Sequence, residues 1–257
     1  MTASARALPP DLLHALEEFA RHRTVLVALD FDGVLAPIVD VPGGARALAG
    51  SAAALAALAR RPRARVALVS GRALADLRAV AAPPAGVLLV ASHGAELDGV
   101  PTPLDDDAQA RLADVLTGLE QVAAAHPGTH VERKPAGGVL HTRRASRETA
   151  AAAGEAVRGG VGSQAGVHTM QGKEVVELSV VRADKGTALT TLRERLGVDA
   201  VLYAGDDVTD ETVFAVLRGD DVGVKVGDGE TAARHRVADP TAVTAVLEHL
   251  VHLLTRG

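Results

Sequence analysis

The chain has 257 residues, of which 47% are apolar, 23% charged and 2% aromatic, with no cysteine and a formal charge of −5. That length can bury one large core or two modest ones, and the apolar share is too high for disorder. Zero cysteines exclude disulfide scaffolds, cysteine-ligated zinc and thiol nucleophiles, while the acidic balance and scarcity of aromatic stacking platforms argue against nucleic acid as a partner.

The first 20 residues alternate polar and apolar as an amphipathic helix does, without the continuous apolar stretch of a signal peptide. No run approaches the roughly 18 apolar residues of a membrane helix, so a soluble, cytoplasmic protein without a membrane partner is expected. Short apolar runs then alternate with helical stretches. Residues 24–29 (TVLVAL), 65–69 (RVALV) and 87–91 (VLLVA) are separated by helices expected over 45–60 and from Ala73. A second such region opens with a helix over 185–196, stopped by Gly197, followed by 200–204 (AVLYA). A helix over 208–218, the run 222–226 (VGVKV) and a last helix over 241–254 complete it. Buried parallel strands joined by helices read this way, and they predict a three-layer α/β fold.

Residues 99–180 have another texture. A helix over 105–125 precedes strands at 130–134 and 139–143, joined by Pro135, Ala136, Gly137 and Gly138 as a hairpin. A helix over 146–157, a glycine-rich break and strands at 167–170 and 174–179 follow. The order α-β-β-α-β-β predicts a small inserted domain with its own sheet.

Chemistry-bearing residues gather where the core strands end, which is where open α/β sheets bind ligands. Residues 24–29 run into Asp30-Phe31-Asp32-Gly33. Two carboxylates just past a buried strand are costly unless a cation neutralises them; in isolation the same motif also reads as a turn capped by its aspartates. Ser70 follows the second strand, as a helix N-cap or a phosphate ligand. Asp206, Asp207, Asp210 and Glu211 crowd the end of another strand, too densely for caps alone. Oxygen donors from Asp30, Asp32 and Asp206 are the Mg²⁺ pattern. Only four of the 27 basic residues are lysines (Lys134, Lys173, Lys185 and Lys225), which singles out Lys185 at the start of a helix.

Strand-end DxD, Ser, Lys and DD, in that order, resemble the four motifs of the haloacid dehalogenase superfamily of phosphotransferases. The resemblance spans the whole chain and implies a three-layer Rossmann-like core with a parallel sheet, residues 1–98 and 181–257, and an inserted α/β cap, residues 99–180. It implies Asp30 as nucleophile, Asp32 as general acid and base, and Ser70 and Lys185 as phosphate ligands. Mg²⁺ would be held by the side chains of Asp30 and Asp206 and the backbone carbonyl of Asp32, with Asp207 and Asp210 as orienting groups.

Finer wording is similar to trehalose-6-phosphate phosphatases: LDFDGVLAPIV, the run from Ser92 to Glu96, and GDDVTDE. That resemblance implies a phosphorylated disaccharide as partner, with Arg143, Lys173 and Glu177 on the distal glucose. Glu132, Lys134 and His141 lie in the same cap stretches and Arg72 beside the phosphate motif, all as substrate-site candidates. His93 and Glu96 read as cleft residues, a turn role for His93 and Gly94 being the other reading. Lys173 and Glu177, four apart in a β-rich stretch, are expected on one strand face, the helical ion pair being the other reading. Two positions depart from the family pattern, Asp184 for asparagine and Thr142 for an aromatic. Related capped sugar phosphatases (sucrose-phosphate or mannosyl-phosphate type) and a non-catalytic regulatory domain are the alternatives. The oligomeric state is left open and a monomer is compatible. No aromatic residue lies in the cap, so sugar recognition there must rest on charged and hydrogen-bonding groups.

Overall fold

The computed structural model describes residues 8–97, 100–101, 104–172, 174–181 and 184–255. The chain divides into two compact units, Met1–Asp98 with Asp184–Gly257, and Gly99–Ala183.

In the first unit, α1 (Pro10–Arg21) opens with proline in its first turn and buries Leu12, Leu16 and Phe19, one stripe at helical spacing. The parallel strands β1 (Val25–Leu29), β2 (Ala64–Val69) and β3 (Val87–Ala91) follow, with α2 (Ala49–Ala59) and α3 (Leu74–Ala81) between them, and β4 (Glu96–Leu97) returns antiparallel to β3. β5 (Val100–Pro101), α4 (Asp106–Ala125), β6 (His130–Lys134), β7 (Gly137–His141), α5 (Arg147–Gly159), β8 (His168–Gly172) and β9 (Val175–Ser179) belong to the second unit. The chain then re-enters the first through α6 (Lys185–Leu196), β10 (Ala200–Gly205), α7 (Glu211–Phe214), β11 (Val222–Val226), β12 (His235–Val237) and α8 (Pro240–Leu253).

The core sheet runs β12-β11-β10-β1-β2-β3-β4. Every residue of β1 and β10 is buried, the signature of strands covered on both faces. Alternation divides their side chains between two apolar layers. Val25, Val27 and Leu29 pack with α1, α2 and α8; Leu26 and Ala28 pack with Leu189, Leu192 and Phe214 of α6 and α7. This is the expected three-layer α/β fold. Strand order runs outward from β1 in both directions, to β2 on one side and to β10 on the other, so β1 is the switch point where a crevice opens beyond the strand ends.

In the second unit an antiparallel sheet ordered β6-β7-β9-β8 carries α4 and α5 on one face, around Val115, Leu119, Leu140, Val157, Val176 and Leu178. By alternation Glu132, Lys134, Val139, His141 and Glu177 occupy the other face.

Three expected elements differ. The helix expected from residue 45 starts at Ala49, because Pro42, Gly43 and Gly44 form a 3-10 turn first and the amide of Leu48 bonds to Leu35 O. The helix expected over 208–218 is a 3-10 turn at Val208–Asp210 and a single α-turn ending at Phe214. Buried Asp221 ends it by accepting from the amides of Arg218 and Val201 and from Arg193, which ties the following segment to the start of β10. The hairpin turn is Pro135 and Ala136 alone; Gly137 and Gly138 are strand residues of β7.

Candidate active site

β1, β2 and β10 are parallel, so their carboxyl ends deliver Asp30, Ser70 and Asp206 to one edge of the sheet. The ladder continues one residue further on each side: the amide of Asp30 bonds to Ala204 O and that of Ser70 to Val90 O. These residues line a cavity of about 580 Å³ together with Asp32, Arg72, Asp76, His93, Lys185 and Asp207.

Asp30 and Lys185 form its buried floor, 6% and 2% exposed. Lys185 Nζ donates to Asp30 Oδ2 and to Asp210 Oδ1, both at 2.8 Å, while the Phe31 amide donates to Asp30 Oδ1 at 2.6 Å. Burial pushes the Asp30 carboxyl up to about 7, with Lys185 pulling against it and Asp210 adding to the rise. Burial works against the charge on Lys185 too, yet the two carboxylates leave its pKa raised.

Asp210 is fully buried and its carboxylate is saturated. Oδ1 accepts from Lys185 and from Tyr203 Oη at 2.6 Å, and Oδ2 from the amides of Asp206 and Asp207, both at 2.9 Å. With Asp207, which caps the 3-10 turn and accepts from the Val208 amide, it forms a reciprocal capping box that turns the chain sharply after β10.

The carboxylate of Asp206 occupies the place a side chain at residue 33 would take: a Cβ on Gly33, at φ +76°, would fall 1.9 Å from Asp206 Oδ2. Glycine in the DxDG motif therefore admits the acid from β10. Burial and then Asp210 raise the Asp206 carboxyl to about 6.

Asp32, two residues beyond Asp30, belongs to another partner. Arg72 grips it with Nε and Nη2 and also binds Asp76 Oδ2 at 2.7 Å and Pro42 O, its guanidinium 5.9 Å over the Phe31 ring. Ser70 is 2% exposed and its hydroxyl accepts from the Arg72 amide at 3.2 Å. The turn after β3 puts Ser92 and His93 at φ +49° and +54°, which costs non-glycine residues about 1–3 kcal/mol each. It lays the His93 ring where a Cβ on Gly71 would be, 2.5 Å away. Glu96 does not line the cavity. It accepts from Ser92 Oγ at 2.6 Å and from the Leu74 amide at the start of α3.

One carboxylate oxygen each from Asp30, Asp206 and Asp210 lie within 4.8 Å of one another. All-oxygen donors suit a hard divalent cation. Because Asp210 already accepts four hydrogen bonds, Asp30 and Asp206 are the carboxylates with capacity for an ion.

In the second unit, Lys134 Nζ donates to Glu177 Oε1 at 2.7 Å, diagonally across β7, and His141 Nε2 lies 2.9 Å from Glu132 Oε2 with its ring stacked on His130 at 4.6 Å. Arg143 Nε donates to Glu174 Oε2 at 2.9 Å and is largely exposed. Lys173 lies outside the described residues, and β9 begins at Val175. Both departures from the family pattern have local roles. Asp184 caps α6 by accepting from the Thr187 amide and hydroxyl, as asparagine also can at an N-cap. Thr142 is buried and donates to Glu174 O.

Residues 28–244 match the model of the trehalose-phosphatase family. The chain belongs to that family. Over 92% of its length it is 38% identical to the trehalose-phosphate phosphatase of Mycobacterium avium, of whose length it spans 64%. The Aspergillus fumigatus trehalose-6-phosphate phosphatase is 26% identical, with a TM-score of 0.66 over 97% of this chain and 99% of that one. A haloacid dehalogenase-like hydrolase from Bacteroides thetaiotaomicron, 14% identical, matches in fold, with a TM-score of 0.65 over 88% of this chain and 98% of that chain. Tyr203, which fixes Asp210, and Lys225, which donates to Asp206 O at 2.5 Å, are site residues that motif reading passes over. Their only signal in the sequence is rarity: Tyr203 is the one tyrosine, and Lys225 one of four lysines.

Proposed function

We propose that this chain hydrolyses trehalose 6-phosphate to trehalose and inorganic phosphate. The observation that carries the reading is Asp30, buried against Lys185 at the end of β1 with Asp32 two residues on, in a chain of this family.

The Asp30 carboxylate attacks phosphorus in line, forming an aspartyl-phosphate as the bond to the sugar oxygen breaks. Asp32 gives its proton to the leaving alkoxide, then accepts one from the water that attacks the same phosphorus and frees Asp30. Ser70 Oγ and Lys185 Nζ hold the phosphoryl oxygens. The Asp30 and Asp206 carboxylates and the Asp32 carbonyl would hold a Mg²⁺ ion, which would supply positive charge to offset the repulsion between carboxylate and phosphate. Asp207 and Asp210 fix the turn that carries Asp206, and Arg72 orients Asp32.

Residues 1–98 and 181–257 are read as the catalytic core and 99–180 as the specificity domain. Arg143, Lys173 and Glu177 recognise the distal glucose, with Glu132, Lys134 and His141 supporting them. The substrate is a small dianion that lipid bilayers hold on the side where it is made, and the reading places the enzyme in the cytoplasm.

The test is phosphate release with Mg²⁺ from trehalose 6-phosphate, sucrose 6-phosphate and glucose 6-phosphate. Trehalose 6-phosphate is expected to lead by at least about tenfold in kcat/KM, which is about 1.4 kcal/mol of selective transition-state binding. Equal rates on all three would sink the substrate assignment.

A further inference from the structure

Strand β11 reads VGVKV and is buried throughout, yet it contains a lysine. Its neighbours Val224 and Val226 pack into the apolar layer of α1, α2 and α8, so Lys225 projects to the opposite side of the sheet. An ammonium there, 4% exposed, is expensive unless something specific receives it. Among the described residues it makes no ion pair; the acceptor is the backbone carbonyl of Asp206, 2.5 Å from Nζ.

Asp206 is thereby held at both ends of its backbone. Its amide donates to Asp210 Oδ2, its carbonyl receives Lys225, and its carboxylate lies in the space that Gly33 leaves open. β11 and β10 pair in register at Gly205 and Lys225, one residue short of the acid. A clamp of this kind removes the freedom of the residue that follows a strand end, where otherwise only the turn fixes ψ.

We infer that Lys225 is a positioning residue for the divalent-metal site, clamping Asp206 through its main chain so that the carboxylate is pre-aimed at the ion. The inference rests on the reading of Asp206 as a metal ligand. It assigns Lys225 no contact with substrate.

The test is Mg²⁺ binding to the full chain by isothermal titration calorimetry, with the metal alone, so it needs no substrate. Lys225→Met is expected to raise the Mg²⁺ Kd by roughly 10–100-fold, the usual effect of losing an outer partner of a metal ligand. Lys225→Arg, which keeps the charge and a donor, is expected to recover most of the affinity. In p-nitrophenyl phosphate hydrolysis the Met variant should need more Mg²⁺ for half-saturation while approaching the wild-type kcat at saturating metal. A merely structural lysine would lower the Tm in EDTA and leave the Mg²⁺ Kd alone. A folded Lys225→Met protein with a Kd within about twofold of wild type overturns the inference; if that variant fails to fold by circular dichroism, Lys225→Gln carries the same two outcomes. Loss of selectivity for trehalose 6-phosphate with the Lys225 effect intact would reject the substrate assignment and leave this inference standing. Wild-type protein that takes up no Mg²⁺ would overturn both the metal site and the clamp.

Discussion

Arg72 holds Asp32 in a two-point fork, Nε to Oδ2 at 2.5 Å and Nη2 to Oδ1 at 2.7 Å, across 40 residues of sequence. The pair joins the loop after β2 to the loop after β1 and fixes the carboxylate that the proposed mechanism uses as acid and base. A planar guanidinium delivers two parallel donors, which an ammonium does not. Arg72→Lys is therefore expected to lower kcat on trehalose 6-phosphate by ~10–100-fold. The Tm should move little, because the pair is partly exposed. Steady-state kinetics beside a thermal melt checks this; an unchanged kcat would show that Asp32 needs no fork.

Asp30 links catalysis to stability. Its ordinary pKa is 3.8 and its folded value is about 7, so between these values the folded protein keeps a proton that the unfolded chain has released. The contribution of Asp30 to metal-free stability is therefore fully present below the lower value, falls as pH rises through the window, and levels off above it. Asp30→Asn removes that slope. In EDTA the variant should match wild type near pH 4 and exceed its Tm increasingly up to about pH 7, on the order of 2–4 °C for each kcal/mol. Its turnover should drop by roughly 10³-fold or more. Melts at several pH values settle the first point; a Tm advantage that shrinks with pH would contradict it.

Tyr203 is the only tyrosine, fully buried, and its hydroxyl donates to Asp210 Oδ1. Tyr203→Phe removes one of four donors to a buried carboxylate and should cost about 1–2 kcal/mol of stability. Because Lys185 still bridges Asp30 and Asp210, kcat is expected to stay within about fivefold of wild type. Urea unfolding and initial rates together test the division; a loss of activity with stability unchanged would move Tyr203 into the catalytic machinery.

Glu177 and Lys134 pair across the antiparallel sheet of the second unit. Glu177→Gln should lower kcat/KM for trehalose 6-phosphate by about tenfold or more while leaving p-nitrophenyl phosphate within about twofold. Equal losses on both substrates would remove the glucose-reading role from this residue.

What the sequence made legible follows from where the signals are local. β1 and β10 are unbroken apolar runs ending in acids, so Asp30 and Asp206 were readable at once, and burial on both faces is what makes such runs continuous. The break after Asp207 was not readable. Residues 208–218 look helical, but the Asp207–Asp210 capping box and the hydrogen bonds to Asp221 impose a turn that propensity does not report. Likewise, Arg72 with Asp32 and Lys225 with Asp206 are partners from different loops and strands; only the parallel register brings them together. Glu96, a cleft residue by sequence, accepts from Ser92 Oγ beside the left-handed residues Ser92 and His93, a contact that no local pattern signals.

The central claim, that Asp30 takes the phosphoryl group from trehalose 6-phosphate, is tested most directly by acid-quenching the enzyme during turnover and mapping covalent phosphate by mass spectrometry. Phosphate on the peptide containing Asp30, formed with trehalose 6-phosphate and absent from Asp30→Asn, is the predicted result. Undiminished phosphate release by Asp30→Asn, or phosphate trapped on another residue, would contradict it.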